Sequence, residues 1–149
     1  MARRYAIDGA QAVASPTDTV LGLTASTSVR ARIYDIIFGS SATPADNALN
    51  WMAQRYTAAG TATAVTPQSL DPADPAALCT SGEDHTVEPT YTANAILLSV
   101  SANQRSTQRW VAAPNSEMVI PATASNGIGL EPIHSSFTGS VEATILFEE

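Results

Sequence analysis

The chain has no lysine, one cysteine, two histidines and 6% aromatic residues among its 149 positions. The single Cys79 excludes an internal disulfide, and no basic residue close in sequence activates it as a nucleophile. Neither His85 nor His134 has a second ligand at zinc spacing, so no metal site is expected. No stretch approaches the roughly 20 apolar residues of a membrane span, and no apolar region follows the first arginines, so no signal peptide is expected.

The charge balance is acidic. Fourteen acidic residues against seven basic ones give a net charge of −7, and every base is arginine. An acidic chain without a basic run is a poor partner for nucleic acid or an anionic membrane, so neither partner is expected. Arginine without lysine is typical of fixed bidentate contacts, and a GC-rich genome that favours arginine and alanine codons explains it equally well.

The stretch between Val29 and Gly60 carries the strongest pattern. Val29–Phe38 is rich in β-branched and aromatic residues, Gly39–Asp46 interrupts it, and Ala48–Thr57 follows. This pattern predicts two long antiparallel strands joined by a loop. A helix beginning near Pro44 is the alternative, and a strand is favoured because the segment runs into a tail of threonine, alanine and glycine.

Shorter extended segments with turn residues between them fill most of the remaining chain. They are expected at 19–24, 61–66, 95–101, 107–113, 117–120, 128–134 and 141–147. The last has the clearest alternation, with one apolar stripe made by Val141, Ala143, Ile145 and Phe147. No long amphipathic helix and no internal repeat is visible. The chain is therefore predicted to be all-β, an antiparallel β-sandwich of jelly-roll type.

Two segments fall outside this regular pattern. Residues 1–16 are predicted to form an extended N-terminal arm, docked on a neighbour or frayed, ahead of a single domain at 17–149. Residues 68–91 are predicted to form a long irregular loop, because they are acidic and bounded or interrupted by four prolines. These acids lack the ligand spacing of an EF-hand calcium loop, so a solvated loop is favoured over a calcium site.

No pattern of catalytic residues is visible. The Gly-x-Ser-x-Gly elbow and the phosphate-cradling glycine motifs are absent, and with 14 acids some carboxylate pair will always exist. The protein is therefore expected not to be an enzyme and to need no cofactor. Arginines beside aromatic residues remain as candidates for protein contacts. Trp51 and Trp110 are expected in the core, with arginine stems packed along them.

Several segments together resemble small structural proteins of tailed bacteriophages, namely 34–47, 54–67, 70–77, 103–114 and 120–130. The resemblance is to capsid cement or decoration proteins with a jelly-roll-like fold, and it carries no catalytic residues. It implies binding to the major capsid protein shell, on the outer capsid surface of the virion, with stabilisation of the head. A homo-oligomer, dimer or trimer, is the expected state.

The candidate partner-binding residues come from the arm and the two loops: Arg3, Arg4, Tyr5, Ser40, Thr43, Asp46, Asp71 and Asp74. Two alternatives stay open at this point. One is a structural protein of the tail or baseplate, which composition does not separate from a head protein. The other is a carbohydrate-binding β-sandwich, in which an exposed Trp51 or Trp110 would stack on sugars.

Overall fold

The computed structural model describes residues 2–13, 15, 17–134 and 136–149, and within them every regular element is a strand. No helix in those ranges is long and apolar enough to cross a bilayer. The strands are β1 (Arg4–Val13), β2 (Leu21–Thr24), β3 (Arg32–Ala42), β4 (Ala48–Ala58), β5 (Thr61–Val65), β6 (Gln68–Ser69), β7 (Thr80–Val87), β8 (Thr90–Asn103), β9 (Gln108–Val111), β10 (Met118–Val119), β11 (Gly127–Ile133) and β12 (Gly139–Glu148).

The strands form two six-stranded sheets in which neighbours pair antiparallel. Sheet A has the order β10-β3-β12-β1-β6, and β9 also pairs with β3. Sheet B has the order β5-β7-β2-β11-β4-β8. The two sheets make a β-sandwich, which confirms the predicted all-β class; the jelly-roll connectivity stays a prediction.

The core lies between the sheets and follows the predicted alternation. In β12 the stripe Val141, Ala143, Ile145 and Phe147 is at most 2% exposed. In β4 the side chains of Leu49, Trp51 and Ala53 are equally buried. Side chains on alternate positions of a strand point to the same face, so each sheet offers one apolar face to the other. The ring of Phe38 from sheet A lies 4.9 Å from that of Trp51 in sheet B, centroid to centroid.

The N-terminal segment is a strand of sheet A, paired along its length with β12 and at its start with β6, so the prediction of an extended arm over 1–16 is wrong. β1 pairs with β12 from Arg4↔Glu148 to Val13↔Gly139, and Tyr5 and Ile7 are at most 1% exposed. Small residues at the other positions of β1 hid the alternation, and its partner strand lies at the opposite end of the sequence. Met1, Ala14 and Pro16, which the arm prediction included, lie outside the described residues.

The two central strands do not pair with each other. β3 lies in sheet A and continues through Ala42, whereas β4 lies in sheet B. The predicted loop over Gly39–Asp46 therefore begins only at Thr43, and this connection crosses from one sheet to the other. Each strand has an apolar face that is buried when one sheet packs on the other. β3 and β4 therefore lie in opposite sheets, with these faces in contact. The helical alternative near Pro44 is wrong, since β4 is a strand from Ala48 to Ala58.

Half of the predicted irregular loop over 68–91 is strand. It contains β6, all of β7 and the beginning of β8, while residues 70–79 and 88–89 lie outside strands. Pro72, Pro75 and Pro89 all fall in these connections, where no ladder hydrogen bond is lost. The residues of β7 have low intrinsic strand propensity, and pairing with β2 and β5 on its two sides holds it extended.

Sheet B curls strongly where β7 leads into β8. The connection from Val87 to Thr90 spans at most about 11 Å. In a flat sheet β7 and β8, four positions apart in the strand order, would be separated by about 19 Å. Gly60, in the turn from β4 to β5, has φ of 72°, and an added Cβ would lie 2.1 Å from the Val87 carbonyl oxygen. The two turns therefore touch, and the curl encloses part of the sheet face opposite the core.

Candidate functional site

Four of the predicted contact residues meet in one surface groove where β1 begins. Its lining comprises Ala2, Arg3, Arg4, Leu70, Asp71 and Asp74, and its volume is about 700 Å³. We call it the N-terminal groove. The backbone N–H of Leu70 donates to the carbonyl of Arg4 at 2.8 Å, and the hydroxyl of Tyr5 donates to the carbonyl of Pro75 at 3.1 Å. These bonds fix the 70–79 connection beside β1.

The groove presents charges of both signs together with an exposed leucine. The guanidinium of Arg4 lies 5.7 Å from the ring centroid of Tyr34, while Leu70 is 51% exposed. Across the described ranges, the only ion pair within 4.0 Å joins Arg109 to Asp35. The two arginines of the groove therefore form no ion pair with its two aspartates. Arginine beside an exposed apolar side chain is typical of protein-binding surfaces.

The remaining predicted contact residues do not join this groove. Tyr5 is 0% exposed and its ring stacks on Phe147 at 5.4 Å between centroids, so the prediction of a surface contact there is wrong. Its position on the core face of β1 is the reason. Ser40, Thr43 and Asp46 lie near the other end of sheet A, about 30 Å away along the strands.

Those three residues make local contacts instead. Ser40 is a half-buried residue of β3 opposite Val141. The hydroxyl of Thr43 donates to the carbonyl of Thr138 at 3.2 Å, and the side-chain amide of Asn103 donates to the carboxylate of Asp46 at 2.6 Å. Since Thr43 and Asp46 are exposed, a contact role for them stays a prediction.

Trp51 offers no free face of the kind that sugar stacking requires, whereas Trp110 is only partly covered. Trp51 is 2% exposed, and Trp110 is half-buried against the core. The predicted core location is thus confirmed for Trp51. Cys79 is 2% exposed, and burial raises the pKa of its thiol to about 11. A thiol with so high a pKa is poorly suited to act as a nucleophile.

A buried polar cluster inside the curl of sheet B was not predicted from the sequence. It contains Thr19, Tyr56, His85, Glu88, Tyr91 and Glu131, and we call it the Glu131 cluster. Its floor consists of Gly22, Gly127 and Gly129, where an added Cβ would contact Tyr56, His85 or Tyr91. Glu131 is 4% exposed and His85 is 7% exposed. Glycine on the floor leaves the room that the two tyrosine rings occupy.

Hydrogen bonds join most of this cluster around Thr19. Its backbone N–H donates to the Glu88 carboxylate at 3.0 Å, and its hydroxyl makes a short bond to the same oxygen. The Tyr91 hydroxyl lies 2.8 Å from the Thr19 hydroxyl. The Thr19 carbonyl is 2.9 Å from Nδ1 of His85, and since a carbonyl only accepts, Nδ1 carries the proton. Beside them the Tyr56 hydroxyl pairs with that of Thr24 at 2.7 Å.

Burial changes the protonation of the cluster. It raises the pKa of Glu131 to about 7, with the charge of Glu88 as a smaller cause. It also raises the pKa of Glu88, against the hydrogen bonds from Thr19, and lowers the pKa of His85. Each shift favours the neutral form of a group withdrawn from water. The arrangement thus couples the stability of sheet B to pH, while Glu131 has almost no surface for a substrate to reach.

One sequence signal pointed to this face. In β11, Gly127, Gly129 and Glu131 alternate with Ile128 and Leu130, so one face is apolar and the other is small with a single acid. The groups that interact with this acid, Glu88 and Tyr91, come from the β7–β8 connection and from β8, and no local pattern places them there. Within the described ranges, no three His, Cys, Asp or Glu side chains gather as metal ligands.

In comparisons with known proteins, no family model, no curated protein and no solved structure matches this chain.

Proposed function

We propose that this protein is a structural component of a phage virion, a capsid decoration protein that adheres to the major capsid protein shell and stabilises the head. The N-terminal groove supplies the adhesive contact. This proposal rests on the resemblance of the sequence segments to such proteins, and on one structural observation in particular. Arg3, Arg4, Asp71 and Asp74 converge around the exposed Leu70 without pairing with each other.

The physical chemistry of the groove supports a protein partner. Guanidinium groups bind carboxylates in a bidentate geometry, and exposed leucine adds apolar area that is removed from water on binding. Many copies on one shell multiply weak single contacts, so each groove needs only modest affinity. An acidic body also fits the outer surface of a shell better than its DNA-lined interior.

The test is binding to expanded heads that lack this protein. The purified protein is expected to bind such heads and to raise their temperature of disruption. Replacing Arg3 by glutamate is expected to weaken binding by about tenfold or more, because it reverses one charge at the contact. Sedimentation of heads with bound protein measures the affinity, and calorimetry of the heads measures the disruption temperature.

The matched control is Arg30→Glu, which makes the same change of charge at an exposed position outside the groove. It is expected to bind as the unmodified protein does. Equal losses in both variants would assign the effect to net charge and reject the groove as the contact. A protein that ignores heads and co-purifies with tails would reject the head assignment itself.

A further inference from the structure

The edges of the two sheets differ greatly in length. Sheet A is bordered by strands of two to four residues, β6, β10 and β9, and one edge of sheet B is the five-residue β5. Beyond Ala6, β1 has a ladder partner on one side only, and there the Ala10 N–H donates to the Glu83 carboxylate of β7 at 2.8 Å. The other edge of sheet B is β8, which has 14 residues and pairs, within the described ranges, with β4 alone. Short edge strands are one means by which proteins prevent unwanted pairing, and β8 lacks this protection.

Residues 89–104 contain no acidic and no basic residue, in a chain whose net charge is −7. Charged side chains, especially lysine, and prolines inside the strand normally block an exposed edge, and β8 has neither. Two copies of this acidic protein repel each other wherever their charged surfaces meet. A contact through β8 avoids this repulsion, because it brings two uncharged strands together.

The side chains of β8 are compatible with the addition of a further strand to sheet B, because each of its two faces would continue into the new strand. Leu98 and Val100 are half-buried and pack against the edge of the core. On the opposite face, the hydroxyls of Ser99 and Ser101 donate to the side-chain carbonyl of Asn50, each at 3.2 Å. From Leu98 to Asn103 the register with β4 is continuous, whereas a shift occurs at Leu97. The regular part of the edge is therefore the segment Leu98–Asn103, with one apolar and one polar face.

From these observations we infer that two copies of this chain associate by antiparallel pairing of their β8 edges, which joins two B sheets into one continuous sheet. In such a dimer a two-fold axis runs perpendicular to the joined sheet. The core faces of both copies then lie on the same side only if residues of the same face stand opposite each other. Several registers meet this condition, and we infer the one centred on Val100, because it places the core-face residues of the regular segment opposite one another. In it Val100 faces the partner's Val100, and Leu98 faces the partner's Ala102. This inference gives the expected homo-oligomer a surface, and it does not depend on binding to a capsid.

Light scattering during size-exclusion chromatography tests the association. The unmodified protein at micromolar concentration is expected to have about twice the chain mass of 15.5 kDa. Ser99→Lys is expected to raise the dissociation constant by about tenfold or more, because a lysine on an edge strand opposes pairing. Ala12→Lys makes the same change of charge on the exposed side of β1 and is expected to leave the dimer intact.

A cysteine at the proposed axis tests the register. Opposed residues of antiparallel strands have Cα atoms about 4.5–5.5 Å apart, within the range that a disulfide spans. Val100→Cys is therefore expected to form a covalent dimer under mild oxidation, while Ala12→Cys remains monomeric on a non-reducing gel. Circular dichroism checks that each variant is folded, and Ser101→Lys replaces Ser99→Lys if the latter is not.

A protein that is monomeric at every concentration up to about 100 μM would overturn the inference. So would a dimer that survives Ser99→Lys, or Ser101→Lys where it replaces that variant, or one that Ala12→Lys dissociates equally. If Val100→Cys does not cross-link while the dimer persists, the proposed register is wrong. If the unmodified protein forms the β8 dimer but does not bind heads, the proposed function is rejected and this inference stands.

Discussion

Replacing Glu131 by glutamine is expected to stabilise the protein at pH 8 by roughly 3 kcal/mol, with little gain at pH 4.5. Burial raises the pKa of Glu131 to about 7 from 4.5. Between these values the folded protein keeps a proton that the unfolded chain has released. The free energy of unfolding therefore falls as pH rises through this interval, and the amide removes this loss because it does not ionise.

Chemical denaturation at pH 4.5, 6 and 8 measures this effect. Glu142→Gln, an exposed carboxylate on β12, removes the same charge and is expected to leave the pH dependence unchanged. Other groups of the cluster contribute to the profile. The pKa of Glu88 is also raised, so Glu88 likewise lowers the free energy of unfolding as pH rises. His85 acts in the opposite direction: its pKa is lowered, so the free energy of unfolding falls as pH drops below the ordinary pKa of histidine. Parallel profiles for Glu131→Gln and the unmodified protein would show that Glu131 is not withdrawn from water.

Replacing Gly127 by alanine is expected to destabilise the protein by about 3 kcal/mol. An added Cβ would lie 2.2 Å from Cζ of Tyr56 and 2.4 Å from the carbonyl oxygen of Leu23. The ring is held by its hydroxyl bond to Thr24, and the carbonyl belongs to the paired strand β2, so neither moves without loss. The melting temperature and the free energy of unfolding in denaturant both report the change.

Gly22 provides the matched control on the same floor. There an added Cβ would lie 3.3 Å from the Tyr56 hydroxyl and 3.4 Å from the His85 ring, which small shifts accommodate. Gly22→Ala is therefore expected to cost less than about 1 kcal/mol. If the two alanine variants were equally stable, Tyr56 would not rest on Gly127, and the packing described for the Glu131 cluster would be wrong.

The two faces of sheet B differ in what a sequence reveals of them. The core face is built from runs such as Leu49, Trp51 and Ala53, whose period of two is visible within one strand. The opposite face is built from glycines, tyrosines and acids that several strands contribute, and only β11 shows a period of two there, in Gly127, Gly129 and Glu131. The N-terminal groove is an intermediate case. The sequence predicts its charged residues individually as contact residues, but their convergence depends on the pairing of β1 with β6.

By itself the sequence determined the all-β class, the position of most strands and the buried stripes of β4 and β12, because alternation of apolar residues is a local property. Only the tertiary structure decided that β1 pairs with β12 in sheet A, that β3 and β4 lie in different sheets and that β7 is a strand. Each of these depends on pairing with residues far along the chain. The burial of Glu131 and the unprotected edge of β8 follow from the same cause, since strand order within a sheet is set by contacts that no single segment encodes.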